Sequence, residues 1–461
     1  MRDPGQPVLS PVTGLLIVGG GASGVLLAAH VLKRADAQGA VGAACVTIIE
    51  PAAVLGQGIA YATRDPDHLL NTRVHNMSAF PDDPHHFEAW LKAQPDGAGY
   101  DSQSFVPRMV YGRYLTDLVA DHVAAGRLKW IRATCVGLRE DDLGVTATLD
   151  DGTRLRAKAV ALATGHVVPS RGDGLAASAW DEIKVADPDG RVVIVGSGLS
   201  MVDQVLSLLK AGHRGPILTV SRRGLVPRPH QPAKPLDIRA SEVPFGTSAS
   251  GLFAWARGLA RRADAAGGTW RDAVDGIRPY VRAIWASLDL PTRRRLLKHA
   301  DVWWDVHRHR IPAASDATIA AARASGQLQQ MRAAYLGAEQ GEAGPVAVLR
   351  PRGGDGGVVR MPATAIIDCR GIRNDPEGNA SPLMADLFAQ GALRIDPLRI
   401  SPDVDGDCHL IGASGATSER IFGVGPVTRA AFWEITAVPD IRSQTWGLSS
   451  EVLRRFTLAQ T

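Results

Sequence analysis

The sequence predicts an α/β fold of two Rossmann-like dinucleotide-binding domains with a helical insertion. Three observations carry this expectation. A glycine loop, Gly19 to Gly24, lies between a short apolar strand and a helix. A second, Gly196 to Gly198, lies in the same setting much further along the chain. A tryptophan-rich stretch with helical patterning, roughly 248–326, falls inside the second domain.

The bulk numbers agree. A chain of 461 residues and 48.9 kDa has room for two or three domains of ~100–200 residues. With 45% hydrophobic and 21% charged residues, a wholly disordered chain, a collagen-like fibre and a disulfide miniprotein are excluded. The net charge of +4 is too small to point to nucleic acid. Only 8 of the 51 cations are Lys and 43 are Arg, a bias expected of a GC-rich bacterial genome. Cys45, Cys135, Cys369 and Cys408 are far apart, with no CxxC pair or zinc spacing, which suits a reducing cytosol. The run from Gly14 to Leu32 holds no Asp, Glu, Lys or Arg and is long enough for a membrane span. Four glycines interrupt it, however, so it reads as strand, turn and helix. The start, Met1-Arg2-Asp3-Pro4, lacks the basic region of a signal peptide.

Each element of the first domain follows in order. Leu15 to Val18 is an apolar strand, Gly19-x-Gly21-x-x-Gly24 the turn, and a helix runs on through Val31. The first glycine permits the turn, the second lets backbone approach a pyrophosphate, and the third lets helix and strand pack closely. The helix N-terminus then offers free N–H groups and a positive dipole end. A second strand, Val46 to Ile49, ends in Glu50. A carboxylate at that place accepts hydrogen bonds from ribose hydroxyls. Val160 to Ala163, followed by Thr164-Gly165-His166, is the expected return strand.

In the second domain, Val192 to Val195 is the strand and Gly196-Ser197-Gly198 the turn. The helix runs from Leu199 to about Ala211, with Val202, Val205, Leu206 and Leu209 on one face. Met201 stands where the third glycine belongs, which predicts looser packing of helix on strand. The next strand, Ile217 to Val220, ends in Ser221-Arg222-Arg223 rather than in an acid. Forked arginines suit a 2′-phosphate, so the expected cofactor is NADPH rather than NADH. Ile366 to Cys369, ending in Arg370-Gly371, is the counterpart return strand, and His409 to Gly412 leads back to the first domain. The predicted division is 1–185 and 370–461 for a split first domain, and 186–369 for the second, including the helical insertion at about 248–326. That insertion is read as a cap on the active-site cleft or as a purely structural bundle.

Two dinucleotide sites suit a tightly held flavin and a visiting nicotinamide. Longer blocks sharpen this expectation: Gly56-Gln57-Gly58-Ile59-Ala60-Tyr61, His68-Leu69-Leu70-Asn71, Asn76 to Pro84, Ser221 to Pro227, Trp303 to Arg310, Gly425 to Arg429 and Trp433 to Arg442. With them the sequence resembles the bacterial FAD/NAD(P)-binding proteins related to flavin-containing and N-hydroxylating monooxygenases. The resemblance implies a flavoprotein with FAD at Gly19, Gly21, Ser23, Gly24 and Glu50. It implies that Asn71 and Met77 line the isoalloxazine region and that Thr164 and Gly165 lie near it. Gly425, Thr428 and Trp433 would approach the pyrimidine side of the flavin or the helix above it. The chain departs from the pattern at Met201 and at Arg370, which stands where Thr is usual before Gly371.

No residue announces itself as catalytic. His75 reads as a proton donor, a substrate contact or a packing residue. His307-Arg308-His309-Arg310 is a poor metal site, because positions i and i+2 of a helix diverge. It reads as an anion site or as structural hydrogen bonding. A disulfide reductase needs neighbouring thiols, and none are close in sequence. The leading expectation is an FAD- and NADPH-dependent monooxygenase, using molecular oxygen on a small polar substrate and N-hydroxylating an amine. The alternatives are an NADPH-dependent reductase of a quinone, small oxidant or partner protein, and a flavin-bound redox sensor. No metal, nucleic-acid or membrane partner is expected, and no subunit interface is legible.

Overall fold

The computed structural model describes residues 13–39, 45–166, 174–181, 185–353, 356–371 and 376–458. The expected strand end at Cys369 and Arg370 lies within these residues. The Met1-Arg2-Asp3-Pro4 start lies outside them, as do 167–173, just after the Thr164-Gly165-His166 turn. By internal contacts the chain forms two compact units. One comprises Met1–Pro66, Thr72–Val167 and Asn374–Thr461, and the other Asp67–Asn71 and Val168–Arg373.

The first unit begins with β1 (Thr13–Val18), α1 (Ala22–Ala37) and β2 (Val46–Ile49), then α2 (His86–Lys92) and α3 (Arg108–Ala124). β3 (Leu128–Ile131), β4 (Cys135–Asp141), β5 (Gly144–Leu149) and β6 (Arg154–Leu162) follow. The second unit holds β7 (Ala176–Ser178), β8 (Val192–Val195), α4 (Leu199–Lys210) and β9 (Ile217–Ser221). Six helices come next: α5 (Ala249–Ala265), α6 (Trp270–Ile277), α7 (Val281–Ser287), α8 (Leu290–His299), α9 (Asp301–Arg308) and α10 (Ala313–Ala324). β10 (Leu328–Gly341), β11 (Gly344–Pro351), β12 (Val359–Pro362) and β13 (Ala365–Asp368) complete this unit. The chain returns to the first unit with α11 (Pro382–Ala389), β14 (His409–Ile411), β15 (Thr417–Gly423) and α12 (Val438–Leu458).

The sheet of the first unit runs β14-β15-β6-β1-β2-β3, with the β4–β5 hairpin attached to β6. β1 and β2 are buried at every position, as parallel strands covered on both faces must be, so they read as continuous apolar runs. α1 is likewise buried along most of its length, from Ser23 to Leu32, which explains its weak amphipathic pattern. The uncharged run of the sequence is therefore strand, turn and core helix, and no described helix is long and apolar enough to cross a membrane.

The second sheet runs β12-β11-β10-β9-β8-β13-β7. α4 buries Met201, Val202, Val205 and Leu208 in one core with Val192, Ile194, Ile217 and Ile367. Ile319 and Ala322 of α10 join that same core. α10 is thus the crossover helix between β9 and β10. The sequence-based range for the insertion included it, because alanine-rich helical periodicity does not reveal which core a helix faces. Helices α5 to α7 build a separate small core around Leu259, Ala273, Ile277, Ile284 and Leu288, with Ile238 and Val243 of the preceding loop.

Candidate functional site

In the first unit, the parallel register brings three strand ends level. Val18 pairs with Ile49 on β2 and with Leu162 on β6. Gly19, Glu50 and Ala163 consequently stand on one edge, beside β1, where the strand order reverses. Such a switch point at the carboxyl ends of strands is where open α/β sheets bind ligands. Gly423 of β15 pairs with Leu162, so the Gly425–Thr428 turn arrives at the same edge.

Close contacts fix the loop. Gly19 has φ +105°, and a Cβ there would lie 2.4 Å from the Ala163 oxygen. Only glycine meets both conditions. A Cβ on Gly24 would lie 2.0 Å from the Gly19 oxygen, so the helix rests directly on the turn. The Gly20 N–H donates to Glu50 Oε2 at 2.7 Å, and the Ala52 N–H to Oε1 at 2.9 Å. These bonds aim the carboxylate and leave each oxygen a further lone pair for a hydroxyl donor. The Gly56-Gln57-Gly58 loop lies against Gly21, and Thr116 of α3 holds it by donating to the Leu55 oxygen at 2.7 Å.

The carboxy-terminal block closes onto the same helix end. A Cβ on Gly425 would lie 2.1 Å from Ser23 Oγ. Gln444 of α12, itself buried, accepts from the Gly425 N–H at 2.7 Å and donates to Thr428 Oγ1 at 3.0 Å. Trp433 lies under the Arg429 guanidinium, 4.8 Å from ring centroid to Cζ. Next to it, Glu434 holds φ +69°, a left-handed conformation that non-glycine residues adopt at a cost. Glu434 falls within the Trp433–Arg442 block, which assigns it no role, and Gln444 is marked by no sequence motif. A polar residue on the buried face of α12 is the one sequence signal that could have found Gln444.

Met77 is buried just after a short 3-10 turn, Val74–Asn76. His75 in that turn donates from Nδ1 to the Ser102 oxygen at 2.9 Å, a bond that secures the loop. Thr164 and Gly165 follow β6 at the glycine edge. His166, beside them, has its pKa pushed down to about 4 by burial and by the Arg429 guanidinium, so it is neutral at neutral pH. Asn71, unlike the other expected flavin contacts, belongs to the second unit with the rest of its segment, Asp67–Asn71. Its carbonyl accepts there from His230 Nε2 at 3.0 Å.

The first unit passes a direct test of fit to FAD. Helix α1 starts at Gly21 with no side-chain cap and no acidic residue in its first turn. Its first N–H groups therefore stay available for an anion, and Glu50 stands on the neighbouring strand end.

The second unit repeats the geometry with different chemistry. Val195 pairs with Val220 and Asp368, so Gly196, Ser221 and Cys369 share an edge. Gly196 has φ +116°, and its Cβ would lie 2.5 Å from the Cys369 oxygen. Gly198 caps α4 without a side chain and faces open space. Met201 is 1% exposed: it fills the helix–sheet interface, so the expected looser packing is not found. Arg222 is exposed and has no hydrogen-bond partner among the described residues. Arg223 donates to the carbonyls of Lys298 at 2.6 Å and His299 at 3.0 Å, satisfying the C-terminal end of α8. Arg370 pairs with Asp368 at 2.6 Å and lies over Tyr335.

The bonds of the His307–Arg310 cluster hold structure together. Arg310 is buried and makes a two-point pair with Asp275. His307 donates to the Trp303 oxygen at 2.7 Å and packs edge-on against Trp270. His309 lies 3.8 Å from Asp305. Among the described residues, no group of three or more His, Cys, Asp or Glu could hold a metal ion. None of the four cysteines forms a disulfide. Burial pushes the Cys135 thiol up to about 11 and the Cys369 thiol well above the usual range.

With this geometry in view, residues 16–167 match the FAD-NAD(P)-binding family. The chain carries an FAD-NAD(P)-binding domain. No curated protein matches the sequence significantly. Among solved structures, the fold is similar to an ornithine hydroxylase from Pseudomonas aeruginosa in its reduced form. The TM-score is 0.64 at 17% identity, over 96% of this chain and 99% of that one. L-lysine 6-monooxygenase from Pseudomonas syringae gives 0.63 at 14% identity, over 96% and 99%. An ornithine N-hydroxylase from Kutzneria, solved with reduced FAD, NADP+ and L-ornithine, gives 0.60 at 14%, over 96% and 100%. These likenesses establish a two-dinucleotide-domain flavoprotein fold. The two-domain α/β fold expected from the sequence is thus the fold of the chain.

Proposed function

We propose that the protein is an FAD- and NADPH-dependent monooxygenase that hydroxylates a small polar amine with molecular oxygen. The observation that carries this reading is the combination of two glycine-turn edges with four cysteines that form no disulfide. A flavoprotein that passes electrons to a disulfide needs a pair of exchangeable thiols. Here three of the four are buried, and Cys45 is exposed alone. The fold shared with amine hydroxylases supports the same reading.

FAD, when bound, accepts hydride from the nicotinamide and supplies the oxygen chemistry. The chain's residues bind and orient. The α1 N-terminus at Gly21 and Ser23 would receive the pyrophosphate and Glu50 the ribose. Met77, Thr164 and Gly165 would lie by the ring system, and Thr428 and Trp433 would approach its pyrimidine side or the helix above it. Gly196, Gly198, Ser221 and Arg222 are the NADPH set, whereas Arg223, also expected there from the sequence, is engaged by the end of α8. His166, uncharged at neutral pH, presents a neutral imidazole beside Gly165.

The test is an aerobic screen of amines and amino acids that follows NADPH oxidation, peroxide and product together. The right amine raises NADPH oxidation, lowers peroxide and yields an N-hydroxylated product. Faster oxygen-independent turnover with a quinone or another acceptor would establish the reductase instead. A flavin that NADPH does not reduce would leave a redox sensor.

A further inference from the structure

We propose that Arg332 is a specificity-determining contact for the 2′-phosphate of NADPH, acting with Arg222, and that Arg223 is not one. This rests on the reading of the second unit as the NADPH site. The sequence places the 2′-phosphate at the end of β9, where Ser221-Arg222-Arg223 stands. Only part of that segment is free to take it. Arg223 spends both Nη groups on the last carbonyls of α8, and turning away would strand those acceptors.

The neighbouring strand supplies a replacement from a distant part of the chain. β10 runs parallel to β9, and Arg332 pairs in register with Ser221. Arg332 therefore stands on the same strand-end edge as the segment the sequence singles out. The turn after β9 is folded toward it. Gly224 N–H donates to Ser221 Oγ at 3.0 Å, and Gly224 has φ +65°. A Cβ on Gly224 would lie 2.8 Å from Arg332 Cγ and 3.3 Å from its Cδ. The stem of Arg332 is thus laid along the turn.

Arg222 and Arg332 are both exposed, and neither has a carboxylate or carbonyl partner among the described residues. Elsewhere on this surface guanidiniums find carboxylates readily, as Arg214 does with Asp189 and Arg360 with Glu339. Two guanidiniums without a carboxylate partner, on residues that border one short turn, are the groups that a phosphate prefers. At the corresponding edge of the first unit stands Glu50, which would repel a phosphate and accept from a ribose hydroxyl instead.

The experiment uses the full-length flavoprotein and titrates 2′,5′-ADP and 5′-ADP by calorimetry, so that the readout does not depend on turnover. The unaltered protein should prefer 2′,5′-ADP. Arg332→Ala should cut 2′,5′-ADP affinity about tenfold to a hundredfold, the range for a lost bond to a charged group, and leave 5′-ADP unchanged. Arg332→Lys should recover part of the loss. Arg223→Ala should keep the preference while lowering the melting temperature. A preference that survives Arg332→Ala, or one that Arg223→Ala abolishes, overturns the assignment while the NADPH reading stands. An unaltered protein with no preference overturns both.

Discussion

The two glycine turns of this chain look alike in sequence but solve their packing in opposite ways. At the first, Gly24 lets α1 sit on the turn, with the Gly19 oxygen where a Cβ would be. At the second, Met201 occupies that position, and the space between helix and sheet is filled by a thioether rather than closed by backbone. The next strand ends in Glu50 in one unit and in Ser221-Arg222 in the other. The helices repeat the contrast at equivalent positions further along. His30 of α1 donates to the Ala79 oxygen at 2.8 Å, whereas Ser207 of α4 meets His68 at 2.9 Å. The third glycine is therefore one of two packing solutions, while the strand-end charge separates a ribose hydroxyl from a phosphate.

The comparison is open to attack by mutation. Met201→Ala should destabilise the second unit by about 2–5 kcal/mol, as for other large-to-small core changes. Met201→Gly, which restores the sequence motif, should cost at least as much. Denaturant melts would show this, and a stabilised glycine variant would refute the filled-interface account.

The acid response should come next in size. Burial, outweighing the bond to Ala79, pushes the His30 pKa down from 6.5 to about 4. The unfolded chain therefore binds that proton more readily. Stability from neutral His30 is complete above about pH 6.5 and is lost as pH falls toward 4, by about 3 kcal/mol. His30→Gln should flatten the stability-against-pH slope of the first unit between those values, and an unchanged slope would remove His30 from the account.

Gly24→Ala should cost about 1–3 kcal/mol by overpacking and should loosen FAD, measured as flavin lost on gel filtration. Gly198→Ala is its smallest counterpart. A Cβ there meets nothing within 4 Å, so stability should move by less than about 0.5 kcal/mol. The added methyl would nonetheless crowd the pyrophosphate path, so the NADPH KM should rise.

Both turns were legible in the sequence because strand runs, glycines and helical periodicity agree locally. Glu50 and Ser221-Arg222 were legible as strand ends. Met201 was misread as a loosening because the motif records a missing glycine, not what its replacement fills. The rest depends on distant partners. Gln444 matters through Gly425, Arg332 through its register with Ser221, and Arg223 is withdrawn by the end of α8. His307 to Arg310 read as an anion site or as structural hydrogen bonding, and the partners Asp275 and Trp270 that favour the second are distant in sequence. Cores assign helices too, and α10 left the insertion for that reason.

The central claim is that one unit holds FAD and the other delivers NADPH to it. The most direct measurement is the visible flavin absorbance of the purified protein during anaerobic addition of NADPH and, separately, NADH. The account predicts a yellow protein with about one FAD per chain, bleached by NADPH at far lower concentration than by NADH and restored by oxygen. A colourless folded protein that takes up no added FAD, or bound FAD that NADPH does not bleach, would contradict it.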